Sequence, residues 1–182
     1  MFSIQEQTAT LAHLNVRTEK HGDKPHGGAD IKLSFTASNG LLAEFHPVLR
    51  ANLYRAEDTP SNQDDIFVAG TPGSPVESLT VRRFGDLIEG INLKHELKGA
   101  TVVIGFGLGG ASDIDFETVD VSNFHVDLME GGSCNYSFRV KCSPTGEQIK
   151  KLYEVLGGEV TVTVVPPTDK QVPLFGGNEG EE

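Results

Sequence analysis

Alternation of apolar and polar residues dominates the chain. In ADIKLSFTA, Ile31, Leu33 and Phe35 fall on one side and Asp30, Lys32 and Ser34 on the other. CNYSFRVKC repeats this with Tyr136, Phe138 and Val140 against Ser137, Arg139 and Lys141. Period two marks a strand with one buried face. EVTVTVVP continues the theme and stops at Pro166-Pro167. Two segments instead carry three-and-four spacing. In SNGLLAEFHPVLRANLYR, Leu42, Phe45, Leu49 and Leu53 line one helical face, with Ser38 or Asn39 as N-cap. Pro47 inside that run predicts a kink, or a helix that begins there. SPTGEQIKKLYEVLGG predicts a helix capped by Ser143, with Pro144 at the first helical position. Its stripe is Ile149, Leu152, Tyr153 and Leu156, and Gly157-Gly158 ends it.

These pieces fall into a repeated order. LNVRTEKHGDKPHGGADIKLSF and FHVDLMEGGSCNYSFRV each run strand, Gly-Gly turn (Gly27-Gly28, Gly131-Gly132) and strand, then lead into a helix with a Leu-Tyr pair. The first copy carries the insertion KHGDKPH at its tip. Residues 56–78 read as a long Pro/Gly/Ser/Asp loop with room for one edge strand. Residues 79–128 read as a meander: INLKHEL turns at Lys98-Gly99 into ATVVIGF, which turns at Gly107–Gly110 into ASDIDFETVDV. The expected fold is α+β, mainly antiparallel β-sheet with two helices, and a pseudo-repeat of β-hairpin plus helix. Residues 1–167 form the expected β-rich domain, with halves 1–55 and 119–167 joined by 56–118. Residues 168–182 have the composition of a disordered acidic tail.

The chain contains one G-x-G-x-x-G match, Gly105 to Gly110. A dinucleotide loop needs a helix after the glycines, because the helix N-terminus holds the pyrophosphate. Here a period-two run follows, its outer positions filled by Asp113, Asp115, Glu117 and Asp120. The motif therefore predicts a turn between antiparallel strands. Counted from Asp113, EF-hand positions six and twelve are Thr118 and Phe124 rather than Gly and Glu, so the calcium-loop pattern fails. His21, Asp23 and His26 lie close in sequence but lack the further ligands that zinc needs. Cys134 and Cys142 are too far apart along one strand for a disulfide, and Cys142 reads as a small core residue. No G-x-S-x-G, H-E-x-x-H or P-loop pattern occurs. No catalytic residue, metal or cofactor is implied, and a non-enzymatic protein is expected.

Charge adds two candidate surfaces. The formal net charge of −11 argues against DNA wrapping over the whole surface. It is uneven: residues 1–100 carry 10 Lys/Arg against 13 Asp/Glu, and residues 101–182 carry 5 against 13. Arg17, Lys20 and Lys24 sit at the first hairpin tip. Arg139 and Lys141 sit on an outer strand face, and Lys150 and Lys151 on the adjacent helix. These seven residues are the candidate nucleic-acid contacts. Single-strand platforms also use exposed aromatics, but Phe35, Tyr136 and Phe138 fall in the apolar phase and read as core. Asp113, Asp115, Glu117 and Asp120 form the alternative, an acidic face that imitates phosphates towards a basic protein. The start MFSIQEQTATLAHLNV lacks a basic n-region and an apolar h-region, and no apolar run nears the ~20 residues of a membrane span. With two cysteines, a reduced cytoplasmic protein without membrane contact is expected.

The block from Gly105 to Pro167 resembles small uncharacterised proteins encoded by tailed phages and prophages. The shared features are the Gly-Leu-Gly-Gly turn (Gly107–Gly110), the Val-Asp-x-x-x-Phe strand (Val119 to Phe124), Glu130–Gly132, Ser137–Val140 and the Leu152–Leu156 helix. EKHGDKPHGGADIKLSF and FHPVLRANLY are similar too, while DLIEGINLKHEL departs from the aromatic pair found there. The resemblance implies a place near phage recombination or replication genes, in the cytoplasm of a bacterial host, and assigns no site residue. Three roles follow as expectations. The first is an accessory DNA-binding protein of recombination or replication. The second is an inhibitor of a host defence protein through the acidic face. The third is a virion or assembly component, in which a homo-oligomer would be natural.

Overall fold

Six of the alternating segments close on one another into a barrel. The computed structural model describes residues 1–21, 24–57, 79–107 and 112–167. Its elements are β1 (Ile4–His21), β2 (Lys24–Ser38), α1 (Leu49–Leu53), β3 (Tyr54–Ala56), β4 (Leu79–Arg82), β5 (Gly90–Leu93), β6 (Leu97–Gly105), β7 (Ile114–Leu128), β8 (Ser133–Cys142), α2 (Gly146–Glu154) and β9 (Glu159–Val165). Around the barrel the order is β1-β2-β8-β7-β6-β9 and back to β1, every pair antiparallel. Closure covers the strand edges over the body of the barrel. β5 adds to β7 outside the ring, and β3 with β4 forms a separate small ribbon. The chain is thus mainly antiparallel sheet with few helices.

The inward residues are those of the apolar phase. Leu11, Ile31, Leu33, Phe138, Val140, Val121, Val102, Ile104 and Val162 are all buried in one core. Phe2 plugs the end where β1 begins, its ring 5.1 Å from Phe45, 4.9 Å from Phe124 and 5.9 Å from Phe138. At the other end α2 joins β8 to β9, with Leu152 fully buried.

β7 explains why its apolar residues come in groups. Thr118 and Asn123 take positive φ, 55° and 56°. Each shifts the phase by one, so Ile114 and Phe116 face inward, then Val119 and Val121, then Phe124, Val126 and Leu128. Such bulges bend a strand and increase its twist, which a small closed barrel requires. The bend also lets one strand serve three neighbours: β6 along its first half, and β8 and β5 along its second.

Several expectations are corrected. The predicted first helix splits into a 3-10 turn (Asn39–Glu44) and the short α1, because Pro47 cannot continue the ladder. Ser38 does cap the first piece, its hydroxyl accepting from the Gly40 amide at 3.1 Å. The cap of α2 is Thr145, not Ser143, and Pro144 precedes the helix. Thr145 Oγ1 accepts from the Gln148 amide, and the Thr145 amide donates to Gln148 Oε1, a reciprocal capping box that Ser143 is too far away to make. The α2 stripe is narrower than predicted, since Tyr153 is 70% exposed. Lys98-Gly99 is no turn: Gly99 (φ 78°) is a bulge within β6, and β5 and β6 both pair with β7 rather than each other. The glycine-rich stretch does join antiparallel strands, with Ile104 opposite Ile114, although residues 108–111 lie outside the described residues. So do the loop at 58–78, the tail at 168–182 and Asp23 of the histidine-rich tip.

Candidate nucleic-acid interface

Outward residues of β1, β2, β8 and β7 line up in rows across the barrel wall, because antiparallel register sets them side by side. One row is His13, Lys32, Arg139 and Ser122. The next is Asn15, Asp30, Lys141 and Asp120. The second row is balanced. Lys141 lies between Asp30 and Asp120, and the Arg17 guanidinium reaches diagonally to donate to Asp30, whose side chain is nine-tenths buried. The first row is not. Lys32 stands directly opposite Arg139, and among the described residues neither has an ion-pair partner. Alternation in the sequence puts Lys32 and Arg139 each on the outer face of its own strand; the β2–β8 pairing, which has no local sequence signal, brings them together.

A hairpin arm grows from the same wall. β8 leaves β2 at Ala29, and β1 makes its last contacts to the β9 side at Leu11, through Gly157 and Gly158. Beyond these points, among the described residues, β1 and β2 pair only with each other, out to His21 opposite Lys24. Val16 is in the apolar phase yet half exposed, so the barrel interior ends there. The arm carries Arg17, Lys20 and Lys24. The inserted tip therefore lengthens the two strands.

Three of the acidic candidates, Asp115, Glu117 and Asp120, lie in the first half of β7 and are exposed; Asp113 immediately precedes the strand and is half-buried beside the Ser112 hydroxyl. Asp115, Glu117 and Asp120 border a cleft of about 590 Å³ closed by Arg17, Lys141, Ser143 and Gln148, while Asp113 lies outside it. Lys151 lies on this side too, its Nζ 3.5 Å from the Ser112 carbonyl, while Lys150 faces Glu154 on its own helix. Neither α2 lysine is in contact with the Lys32–Arg139 row.

Two polar clusters were not anticipated. His125 Nε2 lies 2.9 Å from Asp127 Oδ1 and Nδ1 2.7 Å from Asn92 Oδ1, and Asn135 donates to the other Asp127 oxygen. Gly90 permits this group to pack on β5, since a Cβ there would meet His125, Asp127 and the Val126 carbonyl at 3.1 Å. Their convergence depends on the β5–β7 pairing, for which the sequence carries no local signal. The Tyr54 hydroxyl accepts from the Met129 amide and sits 3.0 Å and 3.1 Å from the Met129 and Ser133 carbonyls, tying β3 to the β7–β8 turn. Burial pushes its phenol well above the ordinary range, as it does the neighbouring Tyr136. Burial also raises the thiols of Cys134 and Cys142, the latter to about 12, so both are inert buried thiols at neutral pH. Among the described residues no three His, Cys, Asp or Glu side chains gather to hold a metal, and no helix is long and apolar enough to cross a membrane.

No family model, curated protein or solved structure matches the chain.

Proposed function

We propose that this is a non-enzymatic nucleic-acid-binding protein whose contact surface is the β2–β8 wall and the hairpin arm that rises from it. The observation that carries the reading is Lys32 opposite Arg139. Like charges directly opposite on a sheet destabilise it. Here the repulsion has no counter-ion among the described residues, whereas one step along the same strands Lys141 stands opposite Asp30 and Asp120. A phosphate backbone would supply the missing charge. His13 extends the row, and the arm beyond it adds Arg17, Lys20 and Lys24 to the basic residues of these two strands. Phe35, Tyr136 and Phe138 are buried, so this wall offers no stacking platform, and the contacts would be to phosphates, without sequence preference.

The resemblance of the sequence adds the setting: a phage or prophage protein accessory to DNA recombination or replication, acting in the bacterial cytoplasm. The hairpin-plus-helix order at both ends of the chain fits a duplicated unit. The acidic half of β7 supports the second reading, inhibition of a host protein by phosphate mimicry, less well, because Asp120 is already opposite Lys141.

The test is fluorescence anisotropy of labelled 30-nucleotide single and double strands over a salt series. Arg139→Ala should lower affinity for all sequences alike and reduce the salt slope by roughly 0.7–0.9, the value of one phosphate contact. Unchanged affinity and slope would remove this wall as the interface.

A further inference from the structure

The cleft beside the first half of β7 has an open side. β8 accompanies β7 only from Asp120, opposite Lys141, to Leu128. Among the described residues, β7 from Ile114 to Val119 has a strand neighbour, β6, at one edge alone. On the far side of β8, β2 loses it at nearly the same level, at Ala29 opposite Cys142, and continues to Lys24 with β1 alone. The chain could have continued β8 between these two edges. Instead it turns away at Ser143 into α2. The cleft lies where that strand would have run: β7 residues 115–120 form one wall, Arg17 of the arm contributes to the lining, and Ser143 and Gln148 close the end.

An unpaired strand edge beside an open cleft is the geometry of strand addition. There the main chain supplies affinity, and alternate side chains supply specificity. The side chains along this edge state what would fit. Outward neighbours of the incoming strand are Asp115 and Glu117, both exposed carboxylates. Inward neighbours are Ile114, Phe116 and Val119. Cross-strand pairs favour opposite charge on one face and apolar contact on the other. We propose that this cleft binds an extended segment of a partner protein with alternating basic and apolar residues, added as a strand to the free edge of β7. The site borders the nucleic-acid wall, with Arg17 of the arm and Lys141 of β8 in its lining, and strand addition there does not depend on that wall binding nucleic acid.

The experiment uses the full chain and a fluorescein-labelled peptide of four Lys-Val repeats. Saturable binding is expected, with slowed amide exchange at residues 115–119. The same peptide N-methylated at alternate residues keeps its charge and loses its strand hydrogen bonds, so it should bind at least tenfold more weakly. A peptide of Glu-Val repeats should not bind. The double variant Asp115→Ser, Glu117→Ser should lose at least tenfold in affinity. Absent binding, equal binding of the N-methylated peptide, or protection confined to another segment would overturn the proposal. The N-methylated probe decides the matter on the native chain even if the double variant folds poorly.

Discussion

Two neighbouring rows of one barrel wall carry the same kinds of residue to different ends. In the row of Asn15, Asp30, Lys141 and Asp120, cations and anions alternate from strand to strand, and Arg17 adds a further bond to Asp30. In the row of His13, Lys32, Arg139 and Ser122, two cations face each other with nothing between them. The first arrangement spends its charge inside the fold. The second leaves charge over for a partner. A count of lysines and arginines along the sequence ranks Lys141 and Arg139 equally; their cross-strand partners separate them.

The largest effect should come from breaking the wall that carries both rows. Phe138 lies between Ser137 and Arg139 on β8, with its ring among Phe2, Phe35 and Phe124. Phe138→Ala should cost about 3–5 kcal/mol in a denaturant melt, taking binding with it. A loss under about 1 kcal/mol would mean that the barrel is not packed as described.

Removing the anion of the balanced row should come next. Asp30→Ala takes away the nearly buried carboxylate that binds Arg17 and stands opposite Lys141, and should cost about 1–3 kcal/mol. It also makes the second row resemble the first, so oligonucleotide affinity should hold or rise while stability falls. A parallel fall in affinity at temperatures where the variant stays folded would erase the distinction between the rows.

The smallest effect is confined to mild acid and lies away from both rows. His95 packs edge-on against Phe45 and Phe124, with Nε2 buried and unbonded. Desolvation, aided by the positive N-terminus, holds its imidazole below the ordinary value of 6.5. As pH falls through that value, the unfolded chain takes up a proton that the folded chain resists, so stability declines. Above it both states are neutral and the contribution is flat. His95→Phe should remove this acid-side decline, and an unchanged profile would place its cause elsewhere.

Much of the barrel is legible in the sequence and its closure is not. Period two marks β2, β8 and β9 directly, and the residues flagged as core there, Phe35, Tyr136 and Phe138, are buried. The grouping of apolar residues in β7 is visible too, but its cause, single left-handed residues at Thr118 and Asn123, leaves only a weak residue signature: asparagine tolerates that conformation, while threonine gives no sign of it. Lys98-Gly99 misleads because a glycine with positive φ serves a bulge as well as a turn. Long-range pairing is the information that a linear pattern lacks. β2 beside β8 joins residues about a hundred positions apart, and that pairing alone sets Lys32 against Arg139 and Asp30 against Lys141. The candidate cations could therefore be named from sequence, while which of them are already satisfied could not.

The most direct test is Lys32→Glu, measured for melting and for oligonucleotide binding at the same pH and salt. The substitution turns the repulsive pair into an attractive one. Stability should rise by about 0.2–1 kcal/mol while affinity for the 30-nucleotide strand falls at least tenfold. A variant that binds as tightly as the native chain, or loses stability, would contradict the claim that this row holds its charge for a nucleic acid.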